Sequence, residues 1–313
     1  MQQPLLIDQD LYLIDGFDMN IRKRTSIYVL AKEKLTLIGI GPSPAVPHVQ
    51  RGLQKLGFHM EEVEYVILTH AHLDHAGGIG LFMQSCPNAK IICHPDAVQY
   101  LLQPRKVAAV TRAMYGDNFT DFFDPIRKVY EEDIITKQDG DELDIGIDCT
   151  LRFIETPGHM PHHLVIYDKE TKRLFTGNSA GIRYEQLAQV GVDFVLPFTP
   201  ANQFDPEAMK KSLEKLKQLP IEQLCYGHFG VTNEPEKALH QVSNWLDIFI
   251  ETGEQAFVRR ATYDELMKQL QQKVAQHLLK KGIMANDDVY LLINLDLYLS
   301  SLGLIDYFQK IEQ

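Results

Sequence analysis

Apolar residues in the first part of the chain fall into short runs, and loops rich in glycine, proline and charged residues separate these runs. Short apolar or alternating runs with such borders are typical of β-strands. The segments interpreted as strands are residues 11–16, 26–30, 35–38, 66–68, 89–93, 151–156, 164–167, 173–176 and 223–226. Segments 49–57 and 94–102 instead have helical character. The pattern therefore predicts an α/β fold whose first half is rich in strands.

The pattern changes at residue 235, where long segments with helical periodicity replace the short strands. These segments are residues 238–250, 263–281 and 287–308. We therefore predict a main domain over residues 1–233 and a helical C-terminal extension over residues 234–313. Because the apolar faces of such helices usually form a core or an interface, the extension is also a candidate homodimer interface.

Residues 103–136 interrupt the alternation of strands and helices and are interpreted as an insertion in the main domain. Four aromatic residues, Tyr115, Phe119, Phe122 and Phe123, lie close together there around a Gly-Asp-Asn sequence. This spacing suggests an aromatic insertion rather than one continuous element. Two interpretations stay open, since the rings could form a local core or could form a lid or wall of a ligand pocket.

The most informative stretch is residues 69–78, Thr-His-Ala-His-Leu-Asp-His-Ala-Gly-Gly, which directly follows a predicted strand. His70 and His72 are two residues apart, so in an extended chain their side chains point the same way and can bind one ion. Asp74 and His75 lie on the following turn and could serve a second ion. Histidine-rich loops also arise by chance, but imidazole and carboxylate groups at this spacing are typical metal ligands. The stretch therefore predicts a metal site at the carboxyl end of a strand.

Three later strands end in the same way, with a polar residue in a loop that contains glycine. These residues are His159, Asn178 and His228. They can share one site only if the sheets bring the strand ends to a common edge. His162 and His163 follow His159 closely, and each is a candidate for an electrophilic or supporting role.

Composition and charge limit the classes of function. The 313 residues are 45% hydrophobic and 23% charged, which is ordinary for a globular protein. With 31 basic and 42 acidic residues the net charge is −11, which argues against a nucleic-acid partner and leaves a small molecule as the expected one. The sequence shows neither a leader peptide nor about 18 uncharged apolar residues in a row, so we expect a cytoplasmic protein without membrane contact. The four cysteines, Cys86, Cys93, Cys149 and Cys225, form no Cys-x-x-Cys pair and are expected to be reduced core thiols.

Taken in order, the motif at residues 69–78, Thr-Pro-Gly-His159, Phe-Thr-Gly-Asn178 and Tyr-Gly-His228 resemble the motifs of the metallo-β-lactamase superfamily over residues 8–232. The resemblance implies an αβ/βα four-layer sandwich, in which two sheets pack face to face with helices outside and a binuclear metal site lies along one edge. It implies two divalent ions, zinc in the first place, with manganese or iron as alternatives. Carried over by position, the implied ligands are His70, His72 and His159 for the first ion and Asp74, His75 and His228 for the second.

Two positions depart from the pattern of the superfamily. Asn178 stands where relatives have an aspartate that bridges both metals, and a neutral amide is a weaker bridge between two cations. We therefore expect a weakened second metal site or a shifted activity. Gly39 stands in a loop where relatives often carry an acidic residue, so that part of the support for the ligands is also changed.

The resemblance implies a hydrolase in which a metal-activated water attacks a carbonyl group, and in which Asp74 orients this water or accepts a proton. The expected substrate is a carboxylic ester, a lactone or a thioester of a small, partly apolar molecule, as in the lactonase and glyoxalase II branches. A phosphodiester or a β-lactam is the alternative substrate class. Two other classes of function stay open: a di-iron oxidoreductase, and a metal-binding or ligand-binding protein whose catalysis Asn178 has weakened.

Overall fold

The computed structural model describes residues 3–285 and 287–312, which form two compact units. The first unit comprises the chain up to Glu155 together with His162–Gly177 and Pro220–Asn233, and the second comprises Thr156–Pro161, Asn178–Leu219 and the chain from Glu234 onward. Residues 1 and 2, on which part of the leader-peptide expectation rests, lie outside the described residues. The division into residues 1–233 and 234–313 stays a prediction.

A sheet of seven strands in chain order lies in the first unit. Its strands are β1 (Leu5–Asp8), β2 (Leu11–Asp15), β3 (Ser26–Leu30), β4 (Leu35–Ile38), β5 (Val63–Ile67), β6 (Lys90–Cys93) and β7 (Ile134–Thr136). Strands β1 to β4 pair antiparallel, whereas β4 to β7 pair parallel. Because parallel strands end at the same edge of a sheet, the segment that follows β5 begins at an edge where loops commonly form sites.

The other strands of the described residues follow in chain order. They are β8 (Glu142–Asp144), β9 (Thr150–Glu155), β10 (Leu164–Asp168), β11 (Arg173–Gly177), β12 (Ile182–Arg183), β13 (Val195–Leu196), β14 (Gln223–Tyr226) and β15 (Val231–Thr232). The second sheet, also in the first unit, has the order β15-β14-β11-β10-β9-β8, while β12 and β13 form a ribbon in the second unit. Strands β11 and β14 are parallel, and Gly177 pairs with Tyr226, so these two strands end side by side.

The two sheets of the first unit enclose a common apolar core. Successive side chains of β5 point to opposite faces of the first sheet. Ile67 belongs to this core, while Val66 belongs to a second cluster on the other face. Phe153 and Phe175 of the second sheet join Ile67, and Leu53 of a helix joins Val66. The predicted packing of two sheets face to face is thereby confirmed, and so is a helix on the outer face of the first sheet.

The helices complete the fold. Those of the first unit are α1 (Val46–Lys55), α2 (Leu73–Ala76), α3 (Ile79–Phe82), α4 (Val98–Leu102), α5 (Pro104–Tyr115) and α6 (Phe119–Phe123). Those of the second unit are α7 (Glu185–Ala188), α8 (Pro206–Lys217), α9 (Pro235–Val258), α10 (Tyr263–Leu279) and α11 (Val289–Glu312). Helices α9 to α11 confirm the predicted helical extension. The four cysteines are free and buried, as predicted.

Helix α11 is long and apolar enough to cross a membrane when length and composition alone are considered. In this structure 61% of its most apolar window is buried within the protein, and the core helix of a water-soluble protein passes the same test. Asp296 of α11 supports that interpretation, because it is buried and accepts a hydrogen bond of 2.9 Å from the Tyr184 hydroxyl.

The insertion is more regular than predicted. Residues 103–136 contain α5, a helix of 12 residues, where the sequence suggested no continuous element. Helix α5 buries none of its residues fully, so it lacks the strong apolar stripe that would have revealed it. The aromatic residues do form a local cluster, in which Phe119 and Phe123 are buried together with Leu73 of α2.

Candidate metal centre

The segment after β5 is extended first and helical afterwards. His72 has extended backbone angles and precedes α2, and its carbonyl oxygen accepts hydrogen bonds from the N–H groups of His75 (3.0 Å) and Ala76 (2.8 Å). Thr69, three residues before His72, is hydrogen-bonded to the second sheet, because its carbonyl oxygen accepts the N–H of Leu164 at 2.8 Å. The chain therefore turns between His72 and Asp74, as the spacing of the motif predicts.

Asp74, His75 and His228 form a compact group in the first unit. The Asp74 carboxylate lies 3.2 Å from His75 Nε2 and 3.5 Å from His228 Nε2, and the two imidazole nitrogens are 3.3 Å apart. Burial alone would raise the pKa of Asp74, but the neighbouring imidazoles, His75 foremost, hold it well below its ordinary value. The group therefore combines an ionised carboxylate with two converging imidazoles.

The tautomer of His228 is set by the backbone. Its Nδ1–H donates to the carbonyl oxygen of Arg24 at 3.3 Å, which leaves Nε2 unprotonated in the neutral ring and directed at Asp74 and His75. Burial first, and the Arg24 guanidinium second, hold the pKa of His228 well below its ordinary value. Glycine is favoured at position 227, since a Cβ atom there would lie 3.0 Å from His75 Cε1 and 3.1 Å from the Gly177 Cα atom.

His70 and His72 lie beside this group. Their ring centroids are 4.8 Å apart, and the His70 ring is also 4.5 Å from the His75 ring. Thr69 Oγ1 lies 3.1 Å from His70 Nδ1, which suits the tautomer whose Nε2 is unprotonated. Burial lowers the pKa of His72 to about 4, so its ring is neutral at physiological pH and available as a ligand.

His162 and His163 have supporting positions in the first unit. The His163 ring stacks on His70 with centroids 4.8 Å apart, and burial holds the pKa of His163 well below its ordinary value. His162 Nε2 accepts the backbone N–H of Ala71 at 3.3 Å, and burial lowers the pKa of His162 to about 3. Both rings therefore pack against the motif as neutral groups.

His159 and Asn178 form a pair within the second unit. The His159 Nδ1–H donates to the carbonyl oxygen of Phe198 at 3.0 Å, and Asn178 Nδ2 donates to His159 Nε2 at 3.2 Å. Both side chains are buried. The amide thus presents a donor to the imidazole nitrogen, where an aspartate would present a charged acceptor. Rotating the amide by about half a turn would present its oxygen instead.

Asp18 and Arg24 are buried next to the first of these groups, and the sequence analysis did not single them out. The side chains are 0% and 4% exposed, and Arg24 Nε lies 3.9 Å from Asp18 Oδ2. Burial, followed by the negative charge of Asp74, raises the pKa of Asp18 to about 7. Only their position after folding distinguishes these residues from the surface charges of the same loop.

The structure brings the residues of the candidate site together in three sets. They are Asp74 with His75 and His228, and His70 with His72, in the first unit, and His159 with Asn178 in the second. The donor atoms of Asp74, His75 and His228 all lie within 4.8 Å of one another. A carboxylate and two imidazoles at this separation fit a divalent cation such as zinc.

Comparison with known proteins identifies the family. The family model described as the metallo-beta-lactamase superfamily matches residues 21–228, which is more than half of the chain. This chain belongs to the metallo-beta-lactamase superfamily. Members of this superfamily are mostly hydrolases that depend on divalent metal ions.

Relatives with known names share part of the sequence. The chain is 27% identical over 227 residues to the metallo-beta-lactamase fold-containing protein ST1585 of Sulfurisphaera tokodaii, a match that covers 71% of this chain and 79% of that protein. It is 24% identical over 257 residues to the anaerobic nitric oxide reductase flavorubredoxin of Aliivibrio fischeri, covering 75% and 46%. It is 33% identical over 116 residues to the N-acyl homoserine lactonase AttM of Agrobacterium fabrum, covering 36% and 38%. Each of the latter two matches therefore covers less than half the length of the relative.

Solved structures share the fold. The crystal structure of ST1585 from Sulfolobus tokodaii has a TM-score of 0.62 at 23% identity and covers 78% of this chain and 87% of that chain. The metallo-beta-lactamase family protein TTHA1429 from Thermus thermophilus has a TM-score of 0.68 at 17% identity and covers 98% and 95%. The predicted metallo-beta-lactamase fold with a helical extension is thus confirmed.

Proposed function

We propose that this protein is a metal-dependent hydrolase that cleaves a carboxylic ester, a lactone or a thioester of a small molecule. The observation that carries the proposal is the group of Asp74, His75 and His228, in which an ionised carboxylate and two imidazoles converge. The described residues offer no cysteine donor in this group, and a donor set of nitrogen and carboxylate oxygen is typical of hydrolytic zinc sites.

Two ions are proposed. One would be held by His70, His72 and His159 and the other by Asp74, His75 and His228, with Asn178 at the position that bridges the ions in relatives. Support for the first set comes from the neighbouring rings of His70 and His72 and from the Phe198 carbonyl, which leaves His159 Nε2 as the unprotonated nitrogen. We expect the neutral amide of Asn178 to weaken binding of the second ion.

The residues of the chain would divide the chemistry between them. When bound, the ions would lower the pKa of a water molecule to about 7 and polarise the substrate carbonyl. Asp74 is 18% exposed and is held by two imidazoles, so it is placed to orient that water and to carry a proton to the leaving group. The neutral rings of His162 and His163 would hold the motif in position.

One comparison supports a lactone as the substrate. The partial match to AttM, which its name describes as an N-acyl homoserine lactonase, favours this class. Leu73 lies between His72 and Asp74 in the chain and is buried with Phe119 and Phe123 of the insertion, so these aromatic rings form a local core beside the motif.

A di-iron oxidoreductase is the second candidate, because the chain resembles the flavorubredoxin of Aliivibrio fischeri over 75% of its own length. The match covers only 46% of that protein. For this function, the protein as isolated would have to contain iron with an optical signal that depends on the redox state.

Metal analysis combined with a panel of substrates tests the proposal. The protein would be assayed with lactone, thioester, phosphodiester and β-lactam substrates after its zinc, manganese and iron content has been measured. We expect zinc and turnover of a lactone or a thioester, both lost with a chelator and restored by zinc. Redox-active iron without hydrolysis would support the oxidoreductase instead. Full metal loading with background hydrolysis that Asn178→Asp does not raise would indicate a binding protein.

A further inference from the structure

A buried ion pair, Asp18 with Arg24, lies outside the metal ligands and is nevertheless connected to one of them. Thr25 Oγ1 donates to Asp18 Oδ2 at 3.3 Å, and the Arg24 Nε atom lies 3.9 Å from the same oxygen. Among the described residues, the other oxygen, Asp18 Oδ1, has no hydrogen-bond partner and is buried. Such a group is costly to bury, which calls for a reason in the surroundings.

The loop that carries Asp18 has an unfavourable backbone. Phe17, Met19 and Asn20 have φ angles of 51°, 53° and 60°, a region that residues with side chains seldom adopt. Asp15 stabilises this loop, because its carboxylate accepts the N–H groups of Phe17 at 3.0 Å and Lys23 at 2.8 Å. The loop therefore keeps a strained conformation that turns the Asp18 carboxyl inward.

The segment that follows the loop is hydrogen-bonded to the loop after β14, which carries His228. The Arg24 carbonyl oxygen accepts the Nδ1–H of His228 at 3.3 Å. Two residues later, the Ser26 N–H donates to the carbonyl oxygen of Gly227 at 2.8 Å, and Ser26 Oγ accepts the Gly230 N–H at 3.2 Å. A shift of the backbone at Arg24 would therefore turn or release the His228 ring.

Gly39 has a φ angle of +79°, and a Cβ atom there would lie 3.2 Å from the carbonyl oxygen of Ser26. A residue with a side chain is therefore disfavoured at this position.

We propose that Asp18 is a positioning residue for the metal ligand His228: its carboxylate holds the Arg24 side chain, and the Arg24 carbonyl oxygen then fixes the orientation and tautomer of the imidazole. The inference rests on the proposed metal-dependent function only for its consequence, which is tighter binding of one ion. A buried ion pair that merely stabilises the fold is the competing explanation.

The tautomer of His228 in metal-free protein tests the positioning step by itself. Imidazole ¹⁵N NMR in the presence of a chelator should show a single tautomer for His228, protonated at Nδ1, in the unsubstituted protein and in Arg24→Lys. In Asp18→Asn and Arg24→Met the signals should shift toward a mixture of both tautomers. An unchanged His228 tautomer in Asp18→Asn and Arg24→Met would overturn the proposal.

Zinc binding tests the consequence. Chelator competition should show that Asp18→Asn weakens the binding of one zinc ion roughly tenfold and leaves the other ion unchanged, which is the lower end of effects exerted through groups that support a metal ligand. Asp96→Asn is the matched control, because it removes a carboxylate of the first unit whose side chain is 75% exposed. Equal weakening by Asp96→Asn would assign the effect to the loss of any negative charge and overturn the role of Asp18.

The two readouts separate this inference from the proposed function. A mixed tautomer in Asp18→Asn, in a protein that binds no zinc at all, would support the positioning role and refute the metal-dependent function. Zinc binding together with an unchanged His228 tautomer in Asp18→Asn and Arg24→Met would support the metal-dependent function and refute the positioning role. If Asp18→Asn does not fold, the comparison of Arg24→Met with Arg24→Lys decides the question.

Discussion

The imidazole rings of His228 and His159 are oriented by the same kind of hydrogen bond but lie beside neighbours of different charge. In each ring Nδ1–H donates to a backbone carbonyl oxygen, of Arg24 in one case and of Phe198 in the other, so Nε2 is left to accept. His228 Nε2 then faces the Asp74 carboxylate at 3.5 Å, whereas His159 Nε2 accepts from the amide of Asn178 at 3.2 Å. The fold thus supplies two pre-oriented imidazoles and adds a negative charge beside only one of them.

The difference shows which property of a metal site the backbone sets and which the side chains set. Backbone carbonyl groups orient the rings in both regions and would do so for any neighbour. The affinity for a cation depends on the charge beside Nε2, because attraction between charges is strong where water is excluded. Substitutions that alter that charge, its surroundings or the groups that hold the rings therefore test this difference.

Removing the charge at Asp74 should have the largest effect. Asp74→Asn keeps the size of the side chain but gives the group of Asp74, His75 and His228 the neutral character of the pair His159 and Asn178. We expect loss of one metal ion per chain and a fall in hydrolysis of roughly a hundredfold or more. Metal analysis and steady-state kinetics measure both quantities.

Asp96→Asn is the matched control for that variant, because the Asp96 side chain is 75% exposed. It should leave metal content and activity unchanged. Retention of two ions by Asp74→Asn would show that the charge beside Nε2 does not determine cation binding in this protein.

Adding a charge at Asn178 should have the next largest effect, in the opposite direction. Asn178→Asp should raise metal stoichiometry toward two per chain and strengthen the weaker site roughly tenfold or more. Without metal, the new buried carboxylate should lower the free energy of unfolding by about 1–3 kcal/mol, and zinc should restore it. Chelator competition and thermal unfolding with and without zinc measure these changes.

Asn244→Asp offers the same substitution at an exposed position of α9 and should change neither quantity. If the unsubstituted protein and Asn178→Asp both hold two ions with equal affinity, Asn178 does not weaken the second site.

The sequence predicts those parts of the molecule that depend on local patterns. Strands β3 and β4 begin and end where the apolar runs do, and the histidine motif has the predicted extended and turned parts. Helix α5 was missed because it buries no residue fully and so carries little periodic signal. The position of Gly177 beside Tyr226 follows from strand pairing, which a single sequence does not encode locally.

The candidate site was predicted to the extent that its ligands lie in recognisable motifs. Asp18 and Arg24 were not predicted, because their connection to His228 spans 204 residues of sequence and exists only after the sheets have formed. For Asn178 the sequence showed the substitution, but the 3.2 Å contact with His159 Nε2 required the structure.

His162 should produce a smaller, pH-dependent effect. Its pKa is lowered to about 3 by burial, so in metal-free protein the unfolded chain binds a proton at His162 below about pH 6.5 and the folded chain does not. The stability contributed by neutral His162 is therefore complete above pH 6.5 and is lost as the pH falls toward 3. Between pH 7.5 and pH 5 the loss should be about 2 kcal/mol.

The difference in unfolding free energy between the unsubstituted protein and His162→Gln isolates this effect from Asp18, whose raised pKa acts in the opposite direction. With chelator present, this difference should move by about 2 kcal/mol in favour of His162→Gln as the pH falls from 7.5 to 5. A pH-independent difference would mean that His162 is protonated in the folded protein.

The smallest effect should come from the group that holds His70. Thr69→Val removes the hydroxyl oxygen that lies 3.1 Å from His70 Nδ1, while the stacked His163 ring and the backbone bond from Leu164 remain. Because these contacts still position the imidazole, we expect zinc affinity to fall by only about tenfold, at the lower end for hydrogen-bond partners of metal ligands.

Thr120→Val, at an exposed position of α6, is the control for the change in side chain and should have no effect on zinc binding. Chelator competition measures the difference, and a loss as large as that of Asp74→Asn would show that orientation of the rings, rather than the charge beside them, limits cation binding in this protein.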